Sequence, residues 1–342
     1  MSVPIEDDQI YDIIVIGGGP VGLFAGFYGC MRGLRTKVIE ALEELGGALT
    51  AIYPEKYIYD IAGFPRVLAK DYVTAAVEQA AQMGCEFTVK TAVQSVTRTD
   101  DGIFVLETTT GTHYSRTIII SAGIGAFEPK RLDVPGIGRF EGGGGVHYFA
   151  KRIEDFRDRD VLIVGGGDSA VDWANTLAPL ARSVRLVHRS KFRAHEHAIS
   201  QMEIGGVQLH YPDYAVKEVH GTERLEAVTF HHLKEGHEQT VDANELIVAI
   251  GFLADLGPLK TWGLEVERNT IRVDPITMAT NIDGVYGCGD VVTYQAKFKL
   301  IATGVAEAIT AVNHCAIYIN PSVRLDPGHS TNIMEKRERA VV

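Results

Sequence analysis

The chain has 342 residues, 46% apolar and 23% charged, with a formal net charge of −11. That length predicts two compact units rather than one, and the acidic balance argues against general nucleic-acid binding, which needs clustered Lys and Arg. No run approaches the roughly 18 apolar residues of a membrane span, and residues 1–9 are acidic, unlike a basic, then apolar, leader. A cytoplasmic protein is expected.

From the N-terminus, residues 12–16 predict a buried parallel strand and 21–32 a helix. Between them Gly17-Gly18-Gly19-Pro20-Val21-Gly22 fits G-x-G-x-x-G. In such a turn Gly17 permits the tight bend, Gly19 lets backbone approach a pyrophosphate, and Gly22 lets helix and strand pack closely. The helix N-terminus adds unpaired N–H groups and a positive dipole end. Glu40 ends the next predicted strand, 36–39, and stands 23 residues after Gly17. A carboxylate there accepts ribose hydroxyls and repels a 2′-phosphate, so FAD or NAD fits and NADP does not.

Residues 53–65 form an aromatic segment too irregular for a helix and too broken by Pro and Gly for a strand. Such a loop either packs inward or covers a flat ligand. A helix is expected from Tyr72 to Gly84, then a short strand over 87–90. Alternation over 93–97, 103–108 and 113–120 predicts three antiparallel strands, the last running into the small residues Ser121-Ala122-Gly123. The run Gly142-Gly143-Gly144-Gly145 reads as a linker at or near a domain boundary.

Beyond it the opening pattern repeats. Residues 161–164 predict a strand, Gly165-Gly166-Gly167-Asp168-Ser169-Ala170 fits G-x-G-x-x-A, a helix follows over 169–177, and 184–187 predict the next strand. Where Glu40 stood, this copy has His188-Arg189-Ser190-Lys191-Phe192-Arg193. Arginines there grip a 2′-phosphate through fork-shaped hydrogen bonds. The first site is acidic at the ribose and the second basic, which assigns FAD to the first and NADPH to the second. Short alternating strands return from Val207, and 246–250 with Gly251 mirrors the ending at Gly123. After strands at 271–273 and 285–286, Gly287-Cys288-Gly289-Asp290 leads to a long helix, about 299–318, and the Asp290 carboxylate suits a flavin ribityl chain. Cys30, Cys85, Cys288 and Cys315 show no C-x-x-C and no zinc spacing, so buried reduced thiols and no metal are expected.

These tokens, in this order over roughly residues 11–320, resemble the flavoprotein disulfide reductases of the thioredoxin-reductase type. The resemblance implies an α/β fold of two Rossmann-like, three-layer ββα domains, the NADPH domain inserted into a discontinuous FAD domain. The expected boundaries are 1–126 and 252–327 for FAD, 127–251 for NADPH, and 328–342 for an extension over the flavin, its charged end disordered. Thioredoxin reductases carry a C-x-x-C before the second glycine motif. Here His147-Tyr148-Phe149-Ala150-Lys151-Arg152 places phenylalanine and arginine at those positions, and neither forms a thiolate.

The bacterial ferredoxin–NADP⁺ reductases of this fold lack that dithiol, and the chain is similar to them at residues 53–65 and at Pro327-Gly328-His329-Ser330-Thr331. The resemblance implies Tyr53 stacked on one flavin face, His329 as a lid on the other, Thr331 near the ring, and Val93 and Phe127 lining the FAD site. Relatives commonly have Gln where this chain has Ala48, which removes one expected hydrogen bond to FAD. The expected activity is hydride transfer from NADPH to FAD, then single electrons to ferredoxin, in a homodimer with no catalytic side chain. Lys56, Lys297 and Lys299 are the candidate ferredoxin contacts. The alternatives are another acceptor (flavodoxin, quinone, oxygen, a protein disulfide) or a non-catalytic FAD/NADPH-binding sensor.

Overall fold

A computed structural model describes residues 5–52, 54–123, 125, 128–148, 152–253 and 255–341. The chain divides into two compact units, Met1–Phe127 with Ala254–Val342, and Glu128–Leu253.

The first unit opens with β1 (Ile10–Ile16), α1 (Pro20–Met31) and β2 (Thr36–Ile39), then a one-turn helix α2 (Ala48–Ala51). Two-residue strands β3 (Tyr57–Ile58) and β4 (Val67–Leu68) pair across the aromatic loop. α3 (Ala69–Gln82), β5 (Glu86–Thr88), β6 (Val93–Arg98), β7 (Phe104–Thr108) and β8 (Gly111–Ile120) follow. The second unit contains β9 (Glu128–Pro129), β10 (Val146–His147), β11 (Asp160–Val164), α4 (Asp168–Leu177), β12 (Ser183–Val187), α5 (Glu196–Ile204), β13 (Gln208–His210), β14 (Tyr214–Gly221), β15 (Leu225–His232), β16 (Glu238–Asp242), β17 (Glu245–Val248) and β18 (Phe252–Leu253). The chain then returns to the first unit through β19 (Val266–Glu267), β20 (Thr270–Arg272), β21 (Val285–Gly287), β22 (Val292–Thr293), α6 (Ile301–Ile319) and α7 (Ser330–Val341).

In the first unit β8 does two jobs. Its early half pairs antiparallel with β7, Phe104 opposite Ser115, while its late half runs parallel to both β1 and β21, Ile120 beside Ile16 and Gly287. The sheet order is β5-β2-β1-β8-β7-β6, with β21 also on β8. Ile13, Ile14, Val15, Ile118, Ile119 and Ile120 are all 1% exposed or less, because strands covered on both faces read as continuous apolar runs instead of alternating ones. Each such side chain contributes about 1.5–3 kcal/mol by leaving water.

The second unit repeats the design on a smaller scale. Its parallel sheet, β10-β17-β11-β12-β13, carries Val161, Leu162 and Ile163 fully buried at its centre. The antiparallel meander β14-β15-β16 packs beside it through Val216, Val219, Val228 and Phe230.

Two expectations fail. The glycine run 142–145 is no linker at the boundary: it lies inside the second unit and is packed. A Cβ on Gly144 would sit 2.6 Å from Phe140 Cα, and one on Gly145 2.5 Å from the Asn244 carbonyl oxygen, so these glycines buy close approach and not freedom. The charged tail, expected disordered, forms α7.

Candidate functional site

The two glycine motifs place equivalent atoms in equivalent roles. Gly17 adopts φ +107°, and a Cβ there would lie 2.4 Å from the Ser121 carbonyl oxygen at the end of β8. Gly165, at φ +150°, would meet the Ala249 carbonyl oxygen at 2.3 Å just past β17. Each turn is hydrogen-bonded into its sheet alike: Gly17 N–H donates to Ile39 O at 2.8 Å and Ser121 N–H to Ile16 O at 2.8 Å, while Gly165 N–H donates to Val187 O at 3.2 Å and Ala249 N–H to Val164 O at 2.8 Å. A Cβ on Gly22 would overlap the Gly17 carbonyl oxygen at 1.8 Å, and its counterpart Ala170 is fully buried.

The third glycine of each triplet behaves differently. Cβ atoms added to Gly19 and Gly167 would meet nothing within 4 Å. Both are extended N-caps, of α1 and α4, without a side-chain cap, so the space beside each glycine lies open at the positive end of a helix. Pro20, the first residue of α1, has no N–H to satisfy. Glycines that packing does not require, beside uncapped helix starts, fit a bound pyrophosphate.

What surrounds the two loops differs in charge. Glu40 is 6% exposed; its Oε2 accepts the Gly18 N–H at 2.7 Å and its Oε1 the Leu42 N–H at 2.8 Å. Each oxygen keeps a lone pair for a further donor. In the second unit His188 takes the equivalent place, its ring 2.1 Å from a Cβ on Gly166. Burial, then the positive Arg193 and Arg189, hold the His188 pKa below the usual histidine range, so the ring is neutral at pH 7 and stacks on Phe192 at 5.6 Å. The Arg193 N–H donates to Gly166 O at 2.8 Å, binding the basic segment to the loop. Arg189 and Arg193 are exposed, and their guanidinium groups make no hydrogen bond or ion pair among the described residues. Asp168 is exposed at the first position of α4 and Ser169 is half-buried beside it.

Other predicted residues gather at the same carboxyl edge of the first unit's sheet. The Gly46 N–H donates to Gly18 O at 2.8 Å, bringing the loop before Ala48 onto the glycine turn, and Ala48 starts α2 half-buried. Gly123, φ +60°, faces open space. Cys288 N–H donates to Ile120 O at 3.0 Å, which sets the turn of Gly289 and half-buried Asp290 beside the end of β8. Val93 is 8% exposed and belongs to the core. Tyr53 and Phe127 lie outside the described residues. In the aromatic loop Tyr59 and Phe64 are 67% and 47% exposed, so these rings do not pack inward. His329 and Thr331 are exposed, and the chain before them is held by Arg32, which donates to Leu325 O at 3.1 Å, to Arg324 O and to Asn313 Oδ1 at 2.7 Å. Arg32 caps the C-terminal end of α1, opposite Gly19.

Lys297 is not a surface contact. Its side chain is 5% exposed and pairs with Glu307, itself 4% exposed. Glu307 was missed from sequence, although it is the one acidic residue in the mostly apolar α6. Lys56 and Lys299 are exposed. All four cysteines are buried, and none forms a disulfide. Burial pushes the Cys288 and Cys315 thiols up to about 12, and a hydrogen bond with Cys30, then burial, raises Cys85. Thiols so protected are not nucleophiles at neutral pH. Arg152 is exposed beside Asp155 at 3.7 Å, and Phe149 lies outside the described residues. Among the described residues His232, Glu235 and His237 bring ligand atoms within 4.8 Å. Within this group His232 Nδ1 accepts the Glu235 N–H at 3.1 Å and His237 Nδ1 lies 3.3 Å from Glu235 Oε2, while His237 Nε2 lies 3.1 Å from Tyr214 OH on β14. Among the described residues no helix is long and apolar enough to cross a membrane.

Comparison with known proteins agrees with this geometry. Residues 11–314 match the family described as pyridine nucleotide-disulphide oxidoreductase. The chain is 48% identical to a protein of Halalkalibacterium halodurans named ferredoxin–NADP reductase, over 95% of this chain and 98% of that one. A protein of the same name from Geobacillus kaustophilus is 46% identical over 97% and 100%. Among solved structures, thioredoxin reductase of T. acidophilum superposes with a TM-score of 0.77 at 22% identity, covering 92% of this chain and all of that one. This last likeness is one of fold.

The glycine geometry separates packing from binding. Gly22→Ala is expected to destabilise the protein by about 3 kcal/mol through backbone overlap. Gly19→Ala is expected to leave the apoprotein's thermal midpoint unchanged while weakening dinucleotide binding about tenfold, near 1.4 kcal/mol. Thermal melts and calorimetric titration check both; equal destabilisation by the two changes would contradict the assignment.

Proposed function

We propose, from the premise that this chain belongs to the pyridine nucleotide-disulphide oxidoreductase family and that its near full-length relatives are named ferredoxin–NADP reductase, that it carries out that reaction. FAD is held in the first unit, NADPH in the second, and electrons leave singly to ferredoxin. One observation carries the cofactor assignment: a buried carboxylate, Glu40, stands at the end of the strand after the first glycine loop, and Arg189 and Arg193, whose guanidinium groups have no partner among the described residues, stand just past the end of the strand after the second. A carboxylate suits the free ribose hydroxyls of FAD, and a pair of arginines suits the 2′-phosphate of NADPH.

In the first unit, α1 N–H groups and Gly19 would receive the FAD pyrophosphate, Glu40 its adenosine ribose, and Asp290 its ribityl chain. By resemblance Tyr53 and His329 cover the two flavin faces, with Ala48, Val93, Gly123, Phe127 and Thr331 lining the site. In the second unit Gly165, Gly167, Asp168, Ser169 and Ala170 form the turn that receives the NADPH pyrophosphate, and neutral His188 supports the loop without adding charge. FAD, when bound, supplies the conversion of a two-electron donor into one-electron steps, so no side chain need act as nucleophile or general acid. The protein's part is to hold the pieces, and its four thiols are all buried. Exposed Lys56 and Lys299 are the remaining candidate contacts for an acidic ferredoxin. Four thiols without a disulfide suit the reducing cytoplasm, and a homodimer is the assembly the resemblance implies.

Replacing both Arg189 and Arg193 by Ala is expected to raise the KM for NADPH about a hundredfold, near 2.7 kcal/mol for two charge-assisted contacts, and to leave NADH nearly unchanged. Equal losses for both nucleotides would refute the 2′-phosphate site. For the acceptor, NADPH-driven cytochrome c reduction is expected to accelerate on adding ferredoxin and not on adding thioredoxin with a dithiol reporter. The reverse pattern would move the reading to a protein disulfide.

A further inference from the structure

One carboxylate gathers three donors from a single stretch of chain. Glu307 Oε2 accepts the Gly289 N–H at 2.8 Å, while Oε1 accepts the Tyr294 hydroxyl at 2.6 Å and pairs with Lys297. The donors span residues 289–297, which link the Asp290 turn to Leu300, the N-cap of α6. Ala296, at φ +64°, occupies the left-handed region that favours glycine, and the Lys297 N–H donates to Tyr294 O at 3.2 Å; this tight turn aims Lys297 inward. The first turn of α6 is pressed onto the same place, since a Cβ on Gly304 would lie 2.4 Å from Val21 Cγ2 and 3.3 Å from Gly289 Cα.

Apolar packing could hold such a loop as firmly, because a buried ion pair repays little more than its desolvation. What the pair adds is two charges that cancel. Two further titratable groups against it, Tyr294 and Cys288, are neutral at pH 7: burial, then the Glu307 hydrogen bond, pushes Tyr294 up to about 12, and burial pushes Cys288 up to about 12.

We propose that Glu307 and Lys297 are positioning residues of the flavin site, which fix the Gly289–Asp290 turn against α6 and whose mutual neutralisation sets the flavin's midpoint potential. This rests on the reading that Asp290 faces the ribityl chain. Glu307 holds the Gly289 N–H, one residue from Asp290, and through that turn it would act on a bound flavin. In a low-dielectric surrounding, loss of either partner leaves one uncompensated charge at that turn. A surplus positive charge favours the electron-rich reduced flavin and a surplus negative charge disfavours it.

The test is a charge cycle on the FAD-loaded protein, reading midpoint potential by spectroelectrochemistry and FAD affinity by fluorescence. Glu307→Gln keeps the shape and leaves Lys297 unpaired, so the potential moves positive. Lys297→Met leaves Glu307 unpaired, so it moves negative. Each single change weakens FAD about tenfold, and the double change Glu307→Gln with Lys297→Met returns the potential to the wild-type value. Shifts of the same sign in both single variants, or no shift in either, would overturn the proposal. If a single variant fails to fold, the neutral double variant and Lys297→Arg still decide, since both are expected at the wild-type potential and a displaced value counts against it. Failure of the underlying reading shows separately, as a wild-type protein that binds no FAD.

Discussion

Two strand-to-helix turns in this protein pass so close to the end of a neighbouring strand that no Cβ fits. At Gly17 the obstacle is the Ser121 carbonyl oxygen and at Gly165 the Ala249 carbonyl oxygen. That closeness points α1 and α4 with their uncapped N-termini over the carboxyl edge of a parallel sheet, where strand ends converge and ligands of open α/β sheets sit. Everything proposed about nucleotides depends on this approach. The charge at the end of the next strand, Glu40 in one unit and Arg189 with Arg193 in the other, then distinguishes the two sites.

The parts of the fold legible in the sequence are those where one residue type answers one steric demand. Gly17, Gly22, Gly165 and Ala170 announce the turns because side chains of ordinary size overlap backbone there, and the isoleucine runs of β1 and β8 announce buried strands because both faces are covered. The parts that were not legible involve residues whose meaning comes from distant partners. Four successive glycines look like a flexible linker until Phe140 and Asn244 are seen pressed against two of them. Lys297 looks like a surface charge until Glu307, ten residues on and across a turn, buries it. The charged tail carries no apolar stripe strong enough to predict α7, and its tether, Arg32, lies almost three hundred residues earlier in the chain.

The thiols complete the account of where electrons go. A family named for disulphide chemistry is represented here by a chain whose four cysteines are all buried, and by resemblance arginine and phenylalanine stand where the dithiol of thioredoxin reductases would be. On the function proposed above, with no dithiol at that place in the sequence, the flavin would both accept and dispense the electrons. Surroundings that govern its potential, among them the turn held by Glu307, therefore carry more weight than in a relative that relays electrons through sulfur.

The most direct test of this single-centre account is an anaerobic titration of the FAD-loaded protein with NADPH under continuous removal of NADP⁺. One equivalent of NADPH per chain is predicted to bleach the flavin absorbance completely, with no further uptake. Uptake of a second equivalent would reveal a reducible disulfide or other centre and contradict the account.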